Sequence, residues 1–410
     1  MNGFKSRILQ GDCIEVLRDM PDNSVDSVVT DPPYGLSKEP DIHEVLTKWM
    51  TGEDYEHRGG GFMGKSWDSF VPGPSVWREV YRVLKPGAHA LVFAGTRTQD
   101  LMTISLRMAG FEVRDVVEWL YFQGFPKSLD VGKAFDKRAG KLGVQSQGFS
   151  AAGDDGRKAE LKQDLKYRSD YGYRYEYKSE LGRKYSGWGT ALKPAHEPII
   201  VVRKPLEGTV ADNVEKYGTG AINIDGCRIL FCGNIPKVTS NQNIRNNAYK
   251  SDNSNRERDT VYIPSEKGRF PANCVTTESD AFYSKYFNIT PPELSKKASK
   301  KDRNSDWRGE EIALEPKLIE REAPLAVAEK RTTMRKNVHP TVKPTDLMAW
   351  LVRLVTPLGG TVLDPFAGSG STLVAAKREG FGFIGIEREA EYIEIAKARI
   401  GEKEEIILAT

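Results

Sequence analysis

Cysteine and histidine are scarce in this chain. Its 410 residues include only four cysteines and five histidines. The cysteines are Cys13, Cys227, Cys232 and Cys274. They are too few and too far apart for the disulfide framework of a small secreted domain. The last three could in principle bind zinc together, but their spacing is not that of a ribbon or finger, and no histidine is close to them in sequence. We therefore expect no metal site.

Long apolar runs and a strong net charge are also absent. No apolar run approaches the length of a membrane span, and Met1–Ile8 has no apolar signal core. These features predict a cytoplasmic protein without membrane contact. The net charge is only +3, so a surface for nucleic acid would have to be a local basic patch. Apolar residues make up 39% of the chain, enough for a sizeable core and two or three structural units.

The motif Asp31-Pro32-Pro33-Tyr34 follows the apolar run Val25–Thr30. The run has the form of a buried parallel strand, and open α/β sheets place their ligands where such strands end. An isolated motif of this kind also suits an ordinary proline-rich turn. Its position after a strand nevertheless indicates a chemical role.

The motif suits one difficult reaction, methylation of an exocyclic amine on a base. The amine is a poor nucleophile because its lone pair is delocalised into the ring, so its hydrogens need acceptors that pull them out of the ring plane. The Asp31 carboxylate and the Pro32 carbonyl are candidate acceptors, held in place by two prolines with fixed φ. Tyr34 offers a flat face on which an extruded base can stack.

A second strand and turn begin at Thr361. The strand Thr361–Leu363 leads into the Gly-rich turn Asp364–Gly370, and a capped helix with a glycine stop starts at Ser371. The next strand, Phe381–Ile386, ends at Glu387, an acid about 20 residues after the first strand, where it can accept ribose hydroxyls. The turn lacks the third glycine of the dinucleotide fingerprint and has no basic partner for a diphosphate. A cofactor with ribose but no phosphate, such as S-adenosylmethionine, fits better.

Together these segments resemble the amino-methyltransferases of DNA, which make N6-methyladenine or N4-methylcytosine, in the permuted order with DPPY ahead of FxGxG. The resemblance covers residues 4–122, 188–206 and 336–400, a little under half of the chain. It implies an α/β fold with a seven-stranded, mostly parallel, doubly wound sheet, the permuted S-adenosylmethionine methyltransferase fold. It also implies S-adenosyl-L-methionine as cofactor and double-stranded DNA as partner. A homodimer and a cognate restriction endonuclease encoded elsewhere stay open.

The resemblance assigns roles to individual residues. Lys336–Pro344 matches the family segment over the methionine part of the cofactor, and Gly11–Cys13 matches the segment that meets its adenine. Because the family commonly has Asp in adenine enzymes and Ser in cytosine enzymes, Asp31 favours adenine. The implied catalytic residues are Asp31, Pro32, Pro33 and Tyr34. The implied cofactor-binding residues are Asp12, Cys13, Asp31, Lys343, Thr345, Asp364, Pro365, Phe366, Gly368, Ser369, Gly370, Ser371, Thr372, Glu387 and Arg388.

The order of strands and helices predicts how the chain is divided. The predicted segments are a catalytic half (1–122), an insertion (123–195), the last sheet strand (196–206), a target-recognition region (207–335) and a cofactor-binding half (336–410). Helices are predicted at Ser75–Leu84 and Thr98–Ala109, and a strand at Ala88–Ala94. Residues 35–74 are expected to be a mobile loop that closes over the flipped base.

Two regions outside the predicted sheet are candidates for contact with DNA. Aromatic and basic residues alternate around Tyr173, as stacking and phosphate contact require, although the alternate tyrosines also suit an ordinary exposed strand. A lysine run near residue 300 fits phosphate contact or a solvated stretch equally. The predicted DNA-binding residues are Lys65, Tyr173, Arg174, Lys296, Lys297, Lys300 and Lys301.

The segment Gly59–Ser66 matches the phosphate-loop pattern G-x-x-x-x-G-K-[ST] to the letter. That pattern holds phosphate only where a strand enters the loop and a helix leaves it. Thr51–Arg58 has no strand pattern, and Trp67–Pro74 contains prolines that exclude a helix. We therefore predict no nucleotide hydrolysis at this segment.

Residues and resemblance together predict a site-specific DNA methyltransferase acting on N6 of a flipped-out adenine. Positioning and electrostatics would supply most of the rate enhancement. Cytosine-N4 methylation uses the same geometry with a smaller ring and stays open. The alternative of another class is a catalytically silent DNA-binding protein that keeps the cofactor fold. Turnover of cofactor on DNA distinguishes the two classes.

Overall fold

A ten-stranded sheet is the frame of the chain. The computed structural model describes residues 6–36, 39–57, 68–121, 128–141, 144–147, 173–228, 268, 270–276, 288–289, 312–313, 334–335, 341–401 and 405–408. The strands in chain order are β1 (Arg7–Gln10), β2 (Val25–Thr30), β3 (Leu84–Phe93), β4 (Glu112–Leu120), β5 (Val144–Gln147), β6 (Tyr173–Glu176), β7 (His196–Arg203), β8 (Cys274–Thr276), β9 (Asn288–Ile289), β10 (Ile312–Ala313), β11 (Met334–Arg335), β12 (Thr361–Asp364), β13 (Gly382–Glu387) and β14 (Glu405–Leu408).

The order across the large sheet is β14-β1-β13-β12-β2-β3-β7-β4-β8-β9. Among its described strands, β7 alone runs antiparallel to its neighbours, β3 and β4. The remaining neighbours pair in parallel. The start of β7 therefore lies at the same edge as the carboxyl ends of β3 and β4, and this position matters for the site.

Strand β2 is fully buried in the parallel part of the sheet. All six of its residues are buried, as expected of a strand covered on both faces. Its polar side chains have partners: the Asp26 carboxylate accepts from Lys85 Nζ at 2.5 Å and from the Thr361 amide at 2.8 Å. Ser27 Oγ lies 2.8 Å from Thr356 Oγ1. These bonds remove the cost of burying polar groups between two helical layers.

Helices cover both faces of the sheet. They are α1 (Cys13–Arg18), α2 (Ile42–Thr51), α3 (Pro74–Val83), α4 (Gln99–Met108), α5 (Val131–Arg138), α6 (Glu180–Lys184), α7 (Val210–Tyr217), α8 (Thr345–Val355), α9 (Ser371–Glu379) and α10 (Ala390–Ile400), with a 3₁₀ turn at Asp225–Cys227. Buried residues of α8, α9 and α10 form one apolar core with the sheet, and those of α1, α2, α3 and α4 form the other. Among these helices of the described chain, none combines the length and apolar character of a membrane span.

The mostly parallel, doubly wound α/β fold is confirmed, with a larger sheet than predicted. The seven predicted strands are the contiguous central block, and β14, β8 and β9 extend it at its two edges. These additions are two to four residues long, too short for a hydrophobic period to stand out. Strand β3 also starts earlier than predicted, at Leu84. The turn residues before Ala88 are accommodated by a register shift against β2.

The prediction of a loop throughout residues 35–74 is wrong, because α2 lies within it. Asp41 caps α2 by accepting from the His43 amide at 2.9 Å, and Gly52 ends it in the left-handed conformation. Val45 and Trp49, one helical turn apart, are buried against the sheet layer. Apolar residues at this spacing anchor the segment, and the sequence pattern contained that signal.

The chain separates into two compact units, and the second comprises Gln123–Ala195. Within the second unit, β5 and β6 pair antiparallel, and α5 packs against α6. The buried Asp136 carboxylate accepts from Ser179 Oγ at 2.6 Å and from the amides of Lys178 and Ser179. The Tyr185 ring lies 5.3 Å from that of Phe135. A hydrogen-bonded buried acid and a tilted pair of aromatic rings thus hold this unit together.

Candidate active site

The ends of β2 and β12 lie side by side in the sheet. The two strands pair in parallel, with Leu363 opposite Val28. Just beyond this pairing, Thr30 Oγ1 donates to Asp364 Oδ1 at 2.7 Å. The motif that begins at Asp31 and the Gly-rich turn that begins at Asp364 therefore meet at one edge, where parallel sheets place their ligands.

A cavity of about 180 Å³ lies at this edge. The sequence-predicted cofactor residues in its lining are Asp12, Cys13, Asp31, Lys343, Asp364, Pro365, Phe366, Gly368, Ser369, Ser371, Thr372, Glu387 and Arg388. Residues from the loops after β1, β2, β12 and β13 thus surround one space. Pro33 of the predicted catalytic motif also lines it.

Thr345 and Gly370 were predicted to bind cofactor, but neither lines this cavity. Thr345 is the buried first residue of α8, so its side chain faces protein. Gly370 caps α9 with φ +76°, and a Cβ there would lie 2.9 Å from the Cβ of Ala396. Its role is to let the turn pack closely on α10. No side chain caps α9 at Gly370, unlike the capped start that the sequence predicts.

The Gly-rich turn is held mainly by its own backbone and by two acids. The Glu387 carboxylate accepts from the amides of Gly368 and Glu389, each at 2.8 Å. Burial raises the pKa of Glu387 above its ordinary value, and these amide bonds oppose the rise. Asp364 accepts from the Phe366 amide at 3.1 Å, and burial raises its pKa to about 6.

Arg399 supports the same turn from below. It is fully buried, and its guanidinium donates to the Ser369 carbonyl at 2.6 Å and to Ser369 Oγ at 3.0 Å. A third bond reaches Ser371 Oγ at 3.1 Å. The turn is therefore fixed on both sides before any ligand binds.

The lining is acidic and apolar rather than basic. Asp12 and Glu387 contribute carboxylates, and burial raises the pKa of Cys13 to about 12, which keeps it a neutral, apolar wall. Lys343 and Arg388 are the only cations in the described lining, and Arg388 bonds to Glu389 at 3.2 Å. Such a donor set suits a ribose-bearing, phosphate-free group that itself carries positive charge. S-adenosylmethionine has these properties.

Four side chains form a charged cluster at the Asp31 end of the cavity. Lys343 Nζ donates to Asp31 Oδ2 at 2.7 Å and to Tyr34 OH at 3.0 Å, and it lies 3.2 Å from Glu197 Oε2. Tyr34 OH donates to the same Glu197 oxygen at 3.1 Å. The side chains of Asp31 and Glu197 are each 18% exposed and that of Lys343 8%, so these contacts are shielded from water. We call these four residues the Lys343 cluster.

In the Lys343 cluster, burial and ion pairing have opposite effects on the pKa of Lys343, and likewise on that of Asp31. Burial lowers the pKa of Lys343, but the carboxylates of Asp31 and Glu197 outweigh it, and the net pKa lies above the ordinary value. Burial raises the pKa of Asp31; the Lys343 ammonium opposes this rise and Glu197 adds to it. Burial and the nearby carboxylates raise the pKa of Tyr34 well above its usual range, so its phenol stays protonated.

Backbone contacts hold the motif after Asp31 in place. Asp68 Oδ1 accepts from the amides of Tyr34 at 2.8 Å and Gly35 at 3.2 Å. Thr98 Oγ1 donates to the Tyr34 carbonyl at 2.6 Å. Gly35 has φ +63°, and a Cβ there would lie 3.0 Å from the Phe70 backbone. The motif is therefore pre-organised, as a set of fixed acceptors requires.

Sequence analysis missed Glu197. The acid lies at the start of β7, in the segment His196–Arg203. We assumed that functional groups follow strands, whereas an antiparallel strand brings its first residues to the ligand edge. The signal was a carboxylate beside an apolar strand next to the parallel block. Met348 and Tyr392 also line the cavity without having been predicted, whereas Thr341 belongs to the predicted segment Lys336–Pro344.

Most of the predicted DNA-binding residues lie outside the part of the chain that the structure describes. Lys65, Lys296, Lys297, Lys300 and Lys301 lie outside the described residues, as does the segment Gly59–Ser66. Tyr173 and Arg174 are in β6, opposite Gln147 and Ser146 of β5. Around the phosphate-loop match, residues 52–57 contain no strand, residue 68 lies in a 3₁₀ turn, residues 69–73 contain no helix, and α3 begins only at Pro74. Both described flanks therefore differ from those of a phosphate loop.

Several known proteins are similar to this chain. Type II methyltransferase M.HindIII of Haemophilus influenzae is 23% identical over 414 residues, covering 96% of this chain and 94% of its own. Type II methyltransferase M2.DpnII of Streptococcus pneumoniae is 50% identical over 62 residues, 15% of this chain and 23% of its own. The crystal structure of the cytosine-N4-specific PvuII DNA methyltransferase aligns with a TM-score of 0.43 and 14% identity, covering 98% of this chain and 88% of its own.

The family profile described as DNA methylase, of the N6/N4 methyltransferase type, matches residues 25–398. This span includes the DPPY motif, the Gly-rich turn and Glu197. The chain therefore belongs to the N6/N4 DNA methylase family, and its cofactor is S-adenosyl-L-methionine.

Proposed function

We propose that this DNA methylase is site-specific and transfers a methyl group from S-adenosylmethionine to N6 of an adenine flipped out of double-stranded DNA. One observation carries the proposal: Asp31, the first residue of DPPY, is itself part of the cofactor cavity. A base amine that reaches Asp31 is therefore next to the methyl donor. Such proximity is the main requirement of direct methyl transfer.

The residues of the chain would divide the work as follows. S-adenosylmethionine, when bound, supplies an electrophilic methyl group on a positively charged sulfur. The Asp31 carboxylate and the Pro32 carbonyl accept the two amine hydrogens and turn the lone pair toward the methyl group. Once the amine nitrogen carries the methyl group, the Asp31 carboxylate would take up the proton that the nitrogen releases. Asp12 and Glu387 would hold the ribose, and Lys343 would hold the methionine part.

Adenine is the preferred base because the motif begins with Asp31 rather than Ser. Cytosine N4 is the second candidate, because the family includes both kinds of enzyme and the two amines need the same acceptors. A catalytically silent DNA-binding protein is disfavoured, since Asp31, the cavity and the Gly-rich turn are all present. Base extrusion is part of the proposal because enzymes that modify a base in duplex DNA take it out of the stack to reach the target atom.

Recognition of the target sequence is assigned to residues 207–335, and contact with DNA to Lys65, Tyr173, Arg174 and the lysines at 296, 297, 300 and 301. The support is the basic and aromatic composition of these segments. The division of the chain into catalytic half, insertion, last strand, recognition region and cofactor half is proposed from the order of strands and helices and from the family resemblance. A homodimer and a cognate restriction endonuclease are further predictions.

The test is direct. The protein is incubated with unmethylated DNA and isotopically labelled S-adenosylmethionine, the DNA is digested to nucleosides, and the labelled nucleoside is identified by mass spectrometry. We expect N6-methyldeoxyadenosine. N4-methyldeoxycytidine would transfer the proposal to the second candidate, and unlabelled DNA with intact cofactor would contradict methyl transfer altogether.

A further inference from the structure

We propose that Glu197 is a positioning residue for methyl transfer: by sharing the Lys343 ammonium with Asp31, it keeps Asp31 available as a hydrogen-bond acceptor for the base amine. The inference rests on the proposed function, because it concerns the same amine. It assigns a role to a residue outside the DPPY motif and outside the Gly-rich turn.

The geometry shows the sharing. Lys343 Nζ lies 2.7 Å from Asp31 Oδ2 and 3.2 Å from Glu197 Oε2, so one ammonium is divided between two carboxylates. Tyr34 OH bridges the same groups, accepting from Lys343 and donating to Glu197. Of the three charged side chains, those of Asp31 and Lys343 line the cavity itself.

The charge balance gives the sharing a consequence. With both carboxylates ionised and Lys343 protonated, the side chains of Asp31, Glu197 and Lys343 together carry one net negative charge. Without Glu197, the ammonium would pair with Asp31 alone, the pair would be neutral, and the carboxylate would be a weaker acceptor. Methyl transfer places positive charge on the amine nitrogen beside Asp31, and a net negative cluster stabilises that charge in a shielded site. Removing Glu197 should therefore slow the chemical step.

The location of Glu197 suits this role. It is in β7, the antiparallel strand next to β3, so it approaches Asp31 from a direction that no parallel strand of the block supplies. Tyr121, at the end of β4, also interacts with Glu197. Glu197 is thus anchored by the sheet on one side and by Tyr34 on the other, as a positioning residue must be.

The titratable and charged groups facing Asp31 are Lys343, Glu197, Tyr34 and Asp364. Of these, Glu197 raises the pKa of Asp31 and Lys343 lowers it. Loss of the Glu197 charge should therefore lower the pKa of Asp31. Because Asp31 must be ionised to accept the amine hydrogen, the acid limb of the rate–pH profile should shift to lower pH while the plateau rate falls. A merely structural role would not move the limb in this direction.

The experiment compares wild type, Glu197→Gln and Glu112→Gln in the full-length protein. Glu112 pairs with Arg203 at 2.7 Å between the adjacent strands β4 and β7, so its substitution removes a carboxylate of the same sheet outside the Lys343 cluster. Single-turnover methylation of DNA is measured across pH, with cofactor affinity by calorimetry and melting temperature as controls. Glu197→Asp, which keeps the charge, is the conservative variant.

For Glu197→Gln we expect a plateau rate about tenfold or more below wild type, an acid limb at lower pH, and cofactor affinity within a few fold. Glu112→Gln should keep the wild-type rate and profile, and Glu197→Asp should keep the wild-type acid limb. An unchanged rate in Glu197→Gln, or a lower rate with an unmoved limb in both Glu197 variants, overturns the inference alone. Wild-type protein that methylates no base in DNA overturns the proposed function, and the inference with it.

Discussion

The Lys343 cluster and the Gly-rich turn adjoin the same cavity, but different kinds of groups form them. Side chains from three distant parts of the chain, the DPPY motif, the start of β7 and the segment before α8, form the cluster. By contrast, one continuous strand–helix–strand unit forms the turn, largely from backbone amides and a carboxylate. Under the proposed function, rigid backbone would hold the nucleoside, whereas charged side chains would lie where bonds form and break.

The largest effect on the methylation rate should come from a substitution in the Lys343 cluster. Asp31→Ala removes an acceptor that matters mainly at the reacting amine, so the methylation rate should fall by about 10² or more while cofactor affinity changes only a few fold. Rates come from single-turnover assays and affinity from calorimetry. Asp100→Ala, an exposed acid in the first turn of α4, is the matched control and should behave as wild type. Near-normal turnover of Asp31→Ala would remove the distinction between the two regions.

In the Gly-rich turn, Glu387→Gln should weaken cofactor binding by about tenfold or more, because the amides of Gly368 and Glu389 lose a charged acceptor. DNA affinity should be unaffected. Calorimetry with the cofactor measures the first quantity and fluorescence anisotropy with labelled DNA the second. Glu391→Gln, an exposed acid in the first turn of α10, is the control. Equal cofactor affinity in the two variants would contradict the placement of the nucleoside.

A smaller effect is expected in the pH dependence of stability, where the two regions meet at Asp364. Burial raises the pKa of Asp364 from 3.8 to about 6, so the folded state binds this proton more tightly than the unfolded state. Its contribution to stability is complete below the unfolded pKa and is lost as pH rises through about 6. Relative to wild type, Asp364→Asn should therefore gain melting temperature as pH rises through that window. Parallel curves for the two proteins would show that the carboxyl titrates normally.

The smallest effect, none, is expected where a pattern lacks its structural context. Lys65→Ala should neither create nor abolish nucleotide triphosphatase activity, because the described flanks of Gly59–Ser66 provide no entering strand and no immediate helix. Phosphate release from ATP is measured for wild type and variant side by side. Hydrolysis by wild type that disappears in the variant would show that a third, phosphate-binding region exists.

Much of the fold could be predicted because its signals are local. The helices predicted at Ser75–Leu84 and Thr98–Ala109 are observed at Pro74–Val83 and Gln99–Met108, and β2 has the predicted bounds. Helix α2 was missed even though Val45 and Trp49 share one face, because loop-like residues on both sides dominated the interpretation. The short edge strands were missed because pairing with a neighbour, rather than their own residues, makes them strands.

The sequence by itself determined the DPPY motif, the Gly-rich turn, the α/β class and the cofactor, since each depends on residues that are contiguous or regularly spaced. The meeting of Lys343 and Glu197 at Asp31 is visible only in the tertiary structure. Lys343 is 312 residues from Asp31 in sequence, and Glu197 is 163 residues from Tyr34. No local period encodes such a meeting. It follows from the sheet order and from the reversed direction of β7, which long-range packing alone fixes.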